Sequence, residues 1–330
     1  MNQPVIAKEY RGSQVENIHQ GVIAIMNDKK ELIYTKGDPE QSIYYRSAMK
    51  PIQAIPVFQT PVIETYNLTH QEAALFTASQ RGEHYHQEAL ENLLKKLQLE
   101  EEELVCGASY PLNEIPKETY IWNHGSKRRL LHNCAGKHLG MLAYAREKGY
   151  HMSGYETPDH PIQKEIKHHV AELSETPEEH IMQGIDGCGL PIYGVPLKNM
   201  ALSYLKFVVP EWIQDEGKRE AVKQIGKVMN ASPEIVASHD FICSVLLKDP
   251  NIIAKGGAQG VYCLALRREK ISIALKVLSG TELLWPALVA KLLEKIDYDN
   301  KDTIRRLREI SDGSILNDSG KVVGYTDFVL

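Results

Sequence analysis

Apolar positions run in extended stretches at the two ends of the chain and recur at helical spacing through its middle. Residues 4–10 (PVIAKEY) and 20–26 (QGVIAIM) are apolar-rich, and Asn27-Asp28 turns the chain into 31–36 (ELIYTK), a hairpin signal. A second hairpin is predicted over 260–267 (GVYCLALR) and 271–278 (ISIALKVL), around Arg268-Glu269-Lys270, with a last strand over 320–328. Between them, residues 83–99, 136–149, 161–174, 198–209 and 218–229 place apolar side chains three and four apart, as do 282–296 and 301–311 near the end. The pattern predicts an α+β fold. One antiparallel sheet is built from the N- and C-terminal hairpins, from about 1–45 and 250–330. A large helical insertion over about 46–250 flanks it and leaves a cleft. No repeat, low-complexity tract or long linker divides residues 1–330, so a single domain is expected.

The composition is that of an ordinary globular protein, 43% hydrophobic and 25% charged over 330 residues. A net charge of −5 argues against nucleic-acid binding, which leaves a basic footprint. No apolar run approaches the roughly 18 residues of a membrane span. The first residues lack a basic segment followed by an apolar core, so a cytoplasmic protein is expected and the N-x-S/T matches at Asn67, Asn230 and Asn317 carry no glycan. The cysteines are Cys106, Cys134, Cys188, Cys243 and Cys263, an odd count that does not read as a disulfide framework. Cys243 and Cys263 sit in apolar runs and read as buried small hydrophobes.

Four segments can carry chemistry. In Arg46-Ser47-Ala48-Met49-Lys50-Pro51, Ser47 and Lys50 are three apart at an expected helix start, where Pro51 fits the first turn and both side chains face one way. A serine hydroxyl is a poor nucleophile until a base takes its proton, and a lysine kept neutral by burial can do so. A second S-x-x-K, Ser203 to Lys206, lies in an apolar helical stretch and reads as structural. Thr77-Ala78-Ser79-Gln80-Arg81-Gly82 places Ser79 at a turn, where it either caps the next helix or faces a cleft. Ala254-Lys255-Gly256-Gly257-Ala258-Gln259-Gly260 sets a lysine at a glycine-rich turn that allows close approach; it lacks the residue order of a phosphate loop. Asn133-Cys134-Ala135-Gly136-Lys137-His138 and Asp186-Gly187-Cys188-Gly189 offer two thiols and a carboxylate for zinc, though a redox disulfide or two unrelated thiols fit the spacing as well. Lys137 as a ligand would have to be held neutral, at about 4–5 kcal/mol from its ordinary pKa. His84, His86, His168 and His169 read as solvated, Glu100–Glu103 as a charged surface stretch and Trp285 as core.

RSAMKPIQ, NCAGKHLGML and IDGCGLPIYGVPLKNMALSY, in this order, resemble the asparaginase II family, the bacterial group that includes the Rhizobium-type L-asparaginases. The resemblance implies a fold similar to serine β-lactamases and glutaminases, and a homodimer that hydrolyses L-asparagine to L-aspartate and ammonia. It places the nucleophile on Ser47 with Lys50 as its partner. A second Ser–Lys pair falls on Ser79 and Lys255, and a zinc site on Cys134, Lys137, Asp186 and Cys188. Arg46 and His138 fall on substrate-binding positions. Two residues depart from the family pattern: Ala135 stands in place of a small hydroxyl residue, and Gln80 in place of histidine. A glutaminase or other small-amide hydrolase of the same fold is the alternative. A β-lactamase relative lacks its S-D-N triplet here, and the intact serines and lysines speak against a non-catalytic binding protein.

Overall fold

The computed structural model describes residues 3–330; residues 1 and 2 of the expected sheet lie outside it. The chain forms β1 (Val5–Arg11), β2 (Gln14–Asn27), β3 (Leu32–Lys36), β4 (Ser42–Tyr44), β5 (Met182–Ile185) and β6 (Pro191–Pro196). After the helical region come β7 (Ile252–Gly256), β8 (Val261–Leu266), β9 (Ile271–Val277), β10 (Ser314–Leu316) and β11 (Val322–Phe328). The main sheet runs β10-β11-β1-β2-β9-β8-β7, with β3 also paired to β2. All its pairings are antiparallel. The two chain ends therefore meet in one sheet, as the hydrophobic pattern predicts. They meet along two seams: β1 pairs with β11, and the β2–β9 pairing runs from Gly21↔Val277 to Asn27↔Ile271. At Gly21 a Cβ would lie 2.5 Å from the Lys276 carbonyl oxygen, so only glycine lets the strands close here.

Alternation along the central strands sorts the core into two layers. Val22, Ala24, Met26, Cys263 and Ala274 face the helical insertion, while Ile23, Ile25, Leu264, Ile273 and Leu275 face the C-terminal helices. The helix Leu197–Leu205 packs against β2, β8 and β9 on the first face. The helices Ile242–Leu247, Trp285–Lys295 and Lys301–Ile310 cover the second. Trp285 is core, as expected, and so are Cys243 and Cys263.

The expected helices form at 84–97, 135–147, 161–174, 197–205, 216–231, 285–295 and 301–310. Several details differ from the sequence expectation. β2 begins six residues earlier than expected, because polar Gln14–His19 pairs with β1 across a Gly12 turn. A small sheet, β4-β6-β5, lies within the helical region. His86 is buried, not solvated: its Nδ1 accepts the Glu83 N–H and caps the helix His84–Leu97. His169 is also buried, since it shares a helix face with Ile166 and Leu173 at helical spacing. Glu101 is half-buried and holds the Leu130 N–H and Arg128. No helix among the described residues is long and apolar enough to cross a membrane.

Candidate active site

Ser47 lies in a 3₁₀ turn, Arg46–Met49, that runs directly into the helix Lys50–Gln53 with Pro51 in its first turn. Arg46 opens the turn at a φ of +51°, a left-handed conformation that costs a non-glycine residue about 1–3 kcal/mol. The surroundings hold it there. The Tyr45 N–H bonds the Tyr193 carbonyl at 3.0 Å, and the Tyr45 hydroxyl donates to Ser203 Oγ at 2.8 Å. Ser203 is thus structural, as expected, and Lys206 is tied to the Glu172 carbonyl and Glu175.

Lys50 is fully buried. Its amine donates to the Ala78 carbonyl at 2.6 Å, to Ser79 Oγ at 3.0 Å and to the Asn133 carbonyl at 3.3 Å. The side chain therefore reaches Ser79, and no hydrogen bond joins it to Ser47. Lys255, at the end of β7, comes from the opposite side. Its amine donates to Ser79 Oγ at 2.9 Å and to the Gly256 carbonyl at 2.8 Å. Ser79 is fixed at the crossing by its own N–H, which bonds the Val236 carbonyl at 2.8 Å. Burial pushes Lys50 below its ordinary pKa. Burial, with the Lys50 charge nearby, takes Lys255 down to about 8. One hydroxyl thus sits between two amines whose pKa burial lowers. The carbonyls of Ala78 and Asn133 that position Lys50 are backbone groups, so residue types alone give no sign of them.

The four residues singled out for zinc come together. Lys137 Nζ lies 3.3 Å from Cys188 Sγ, and Cys188 Sγ lies 4.0 Å from Asp186 Oδ2. Cys134 interacts directly with Cys188, and all the cysteines are free thiols. The hydrogen bond from Cys188, with Lys50 and Lys137 near, holds the Cys134 thiol well below its usual pKa. The same bond and burial push Cys188 up. Burial opposes the Lys137 charge, but Cys188, Cys134 and Asp186 outweigh it and raise the amine. Among the described residues, no three His, Cys, Asp or Glu side chains are grouped so as to hold a metal by themselves. Two thiols and a carboxylate are donor types that suit a soft divalent ion, but their arrangement here is not that of a metal group, and the raised Lys137 amine keeps its proton.

Arg46 ion-pairs with Asp186 at 2.9 Å, and its buried Nε has no partner. That leaves one buried donor of Arg46 unpaired. His138 differs: it is fully buried, its Nδ1 lies 2.6 Å from the Tyr155 hydroxyl, and burial keeps the ring neutral.

The profile of the L-asparaginase II family matches residues 7–328, nearly the whole chain and every residue of this cluster. The chain belongs to the L-asparaginase II family. No curated protein matches it. Among solved structures it is similar to a β-lactamase from Mycobacterium bovis, at 12% identity over 83% of this chain and 94% of that one, with a TM-score of 0.41. It is similar also to a protein named Mglu, at 14% identity over 84% and 67%, with a TM-score of 0.37. Those likenesses are too slight to bear on the site.

As a member of the L-asparaginase II family, the chain is an L-asparaginase-type amidohydrolase. Its two departures from the family pattern have distinct settings. Ala135 is buried at the start of the helix Ala135–Glu147. Gln80 donates to the Leu131 and His132 carbonyls, each at 2.9 Å, and accepts the Gly82 N–H at 2.6 Å. It ties the Ser79 turn to the segment that carries Cys134.

Proposed function

We propose that the protein hydrolyses L-asparagine to L-aspartate and ammonia through a serine acyl-enzyme, with Ser47, Lys50, Ser79 and Lys255 carrying the reaction. The observation that supports this best is the convergence of two buried lysine amines on the Ser79 hydroxyl, one of them from Lys50, which lies one turn beyond Ser47. Ser47 attacks the side-chain amide carbon, and its proton passes to the neutral Lys50 amine, which turns from Ser79 toward Ser47. The Ser47 N–H, in the first turn of its helix, is the proposed donor to the developing oxyanion. The C–N bond breaks, and ammonia leaves with a proton delivered through the Lys50–Ser79–Lys255 chain. Water then cleaves the β-aspartyl ester, and its proton returns Ser47 to the hydroxyl form.

A specific observation favours a second reading, in which Ser79 is the nucleophile: both lysines bond its hydroxyl, and neither bonds that of Ser47. Ammonia release by Ser47→Ala and Ser79→Ala separates the two. Glutamine belongs in the same assay, because one methylene changes the rate by only about 10–200-fold in a typical pocket.

Cys134, Lys137, Asp186 and Cys188 are the proposed zinc ligands, and His138, next to Lys137 on the helix Ala135–Glu147 and bonded to Tyr155, is proposed to act at the same site. A bound ion would supply fixed positive charge beside the serines. Arg46, held by Asp186, is proposed to bind substrate through its free Nε. A cytoplasmic homodimer is proposed on the family likeness alone.

A further inference from the structure

Two charged side chains at the Ser79 end of the site have no role in the reaction just described. Arg81 follows Ser79 by two residues. Its guanidinium lies 4.4 Å from the ring centroid of Phe241, and its Nε donates to Asn113 Oδ1 at 2.6 Å. Its carbonyl accepts the N–H groups of Leu112 and Asn113 at 3.0 and 2.8 Å. Backbone and side chain are both pinned, yet the two terminal nitrogens have no hydrogen-bond or ion-pair partner among the described residues. Asp240, the nearest acid on the Phe241 segment, is occupied by Ser238 at 2.6 Å.

Glu282 comes from the other wall. Its carbonyl accepts the Trp285 N–H at 3.1 Å. Trp285 packs against Phe241, centroids 6.4 Å apart, and closes on Gly256, where a Cβ would lie 3.0 Å from the indole. The chain of contacts Arg81–Phe241–Trp285–Gly256 thus links the guanidinium to the Lys255 strand, with Glu282 at its end. The half-buried carboxylate feels both Lys255 and Arg81 but bonds neither. An unpartnered guanidinium edge, two residues after Ser79, and an unpartnered carboxylate within electrostatic reach of Lys255 therefore lie on the two walls that the Ser79–Lys255 contact joins.

We propose that Arg81 and Glu282 form the recognition pair for a free α-amino acid: the guanidinium takes the α-carboxylate and Glu282 takes the α-ammonium. This rests on the amidohydrolase reading of the serine–lysine site. A planar fork held by stacking matches a carboxylate in two parallel hydrogen bonds. The pair would make the enzyme select an unblocked amino acid carrying a side-chain amide, and reject peptides and simple amides.

The test compares L-asparagine with succinamate, which lacks the ammonium, and with 3-aminopropanamide, which lacks the carboxylate. The analogues are read as substrates or, where turnover is slow, as inhibitors of asparagine hydrolysis. Arg81→Met is expected to lower kcat/KM for asparagine about 10–100-fold, chiefly through KM, and to leave 3-aminopropanamide unchanged, since a charge-assisted bond is lost only with the complete substrate. Glu282→Gln is expected to do the same for asparagine and to leave succinamate unchanged. Equal losses on asparagine and on the matching analogue would overturn the proposal, as would no loss at all. So would a displaced pH profile in Glu282→Gln at constant KM, which would assign the carboxylate to Lys255. A wild type that releases no ammonia from asparagine overturns the amidohydrolase reading itself, before either variant is made.

Discussion

The amine of Lys255 lies 2.9 Å from the hydroxyl of Ser79, although 176 positions separate them in the chain. Ser79 sits on a turn of the helical region, and Lys255 sits on β7 of the sheet. The contact exists only because the two layers close against each other. It places the proposed chemistry at the junction of sheet and helices.

This contact predicts a pH dependence. Burial lowers Lys255 to about 8, so the amine carries its proton below that pH and can accept one above it. If Lys255 takes protons from Ser79, kcat/KM rises with pH through a midpoint near 8. In Lys255→Met that limb disappears and activity falls by about 100-fold or more, the usual contribution of a positioned acid–base group. A pH–rate profile of both proteins checks the sign. A rate that falls through pH 8 contradicts the assignment.

The sulfur cluster predicts metal binding. Purified protein exposed to zinc is expected to hold one ion per chain by elemental analysis, and Cys188→Ser to lose most of it. A chelator is expected to lower the Tm of the wild type and not of the variant, because binding to the folded state adds to its stability. Unchanged metal content in Cys188→Ser would remove this cysteine from the ligand set.

Gln80 predicts a structural effect. Replacing it with alanine removes two bonds to backbone carbonyls and one from a backbone N–H in a buried setting. The expected loss is about 2–4 kcal/mol in chemical denaturation, given the usual cost of leaving such groups unpaired. A loss under about 0.5 kcal/mol, the range of surface substitutions, would mean that water replaces those bonds.

Much of this was legible in the residues. Apolar-rich extended stretches marked the sheet strands at both ends, and Pro51 marked the helix start that carries Ser47 and Lys50. The motif residues Cys134, Lys137, Asp186 and Cys188, far apart in the chain, lie close together in the fold. What escaped the sequence depends on tertiary contact. The Lys50 side chain bonds Ser79 rather than Ser47 because the Ala78 and Asn133 carbonyls draw its amine across, and no residue type encodes a carbonyl's position. β7 was hidden just ahead of a glycine-rich turn, since its five residues are all buried and show no alternation. His86 looked polar, yet it caps its own helix from inside the core.

The most direct test of the account is ammonia release from L-asparagine by wild type, Ser47→Ala and Ser79→Ala, each shown to be folded, with intact-mass detection of a β-aspartyl adduct. The account predicts activity in the wild type, an adduct that maps to Ser47, and loss of both ammonia and adduct in Ser47→Ala. An active Ser47→Ala whose adduct maps to Ser79 would contradict it and move the nucleophile to the serine between the two lysines.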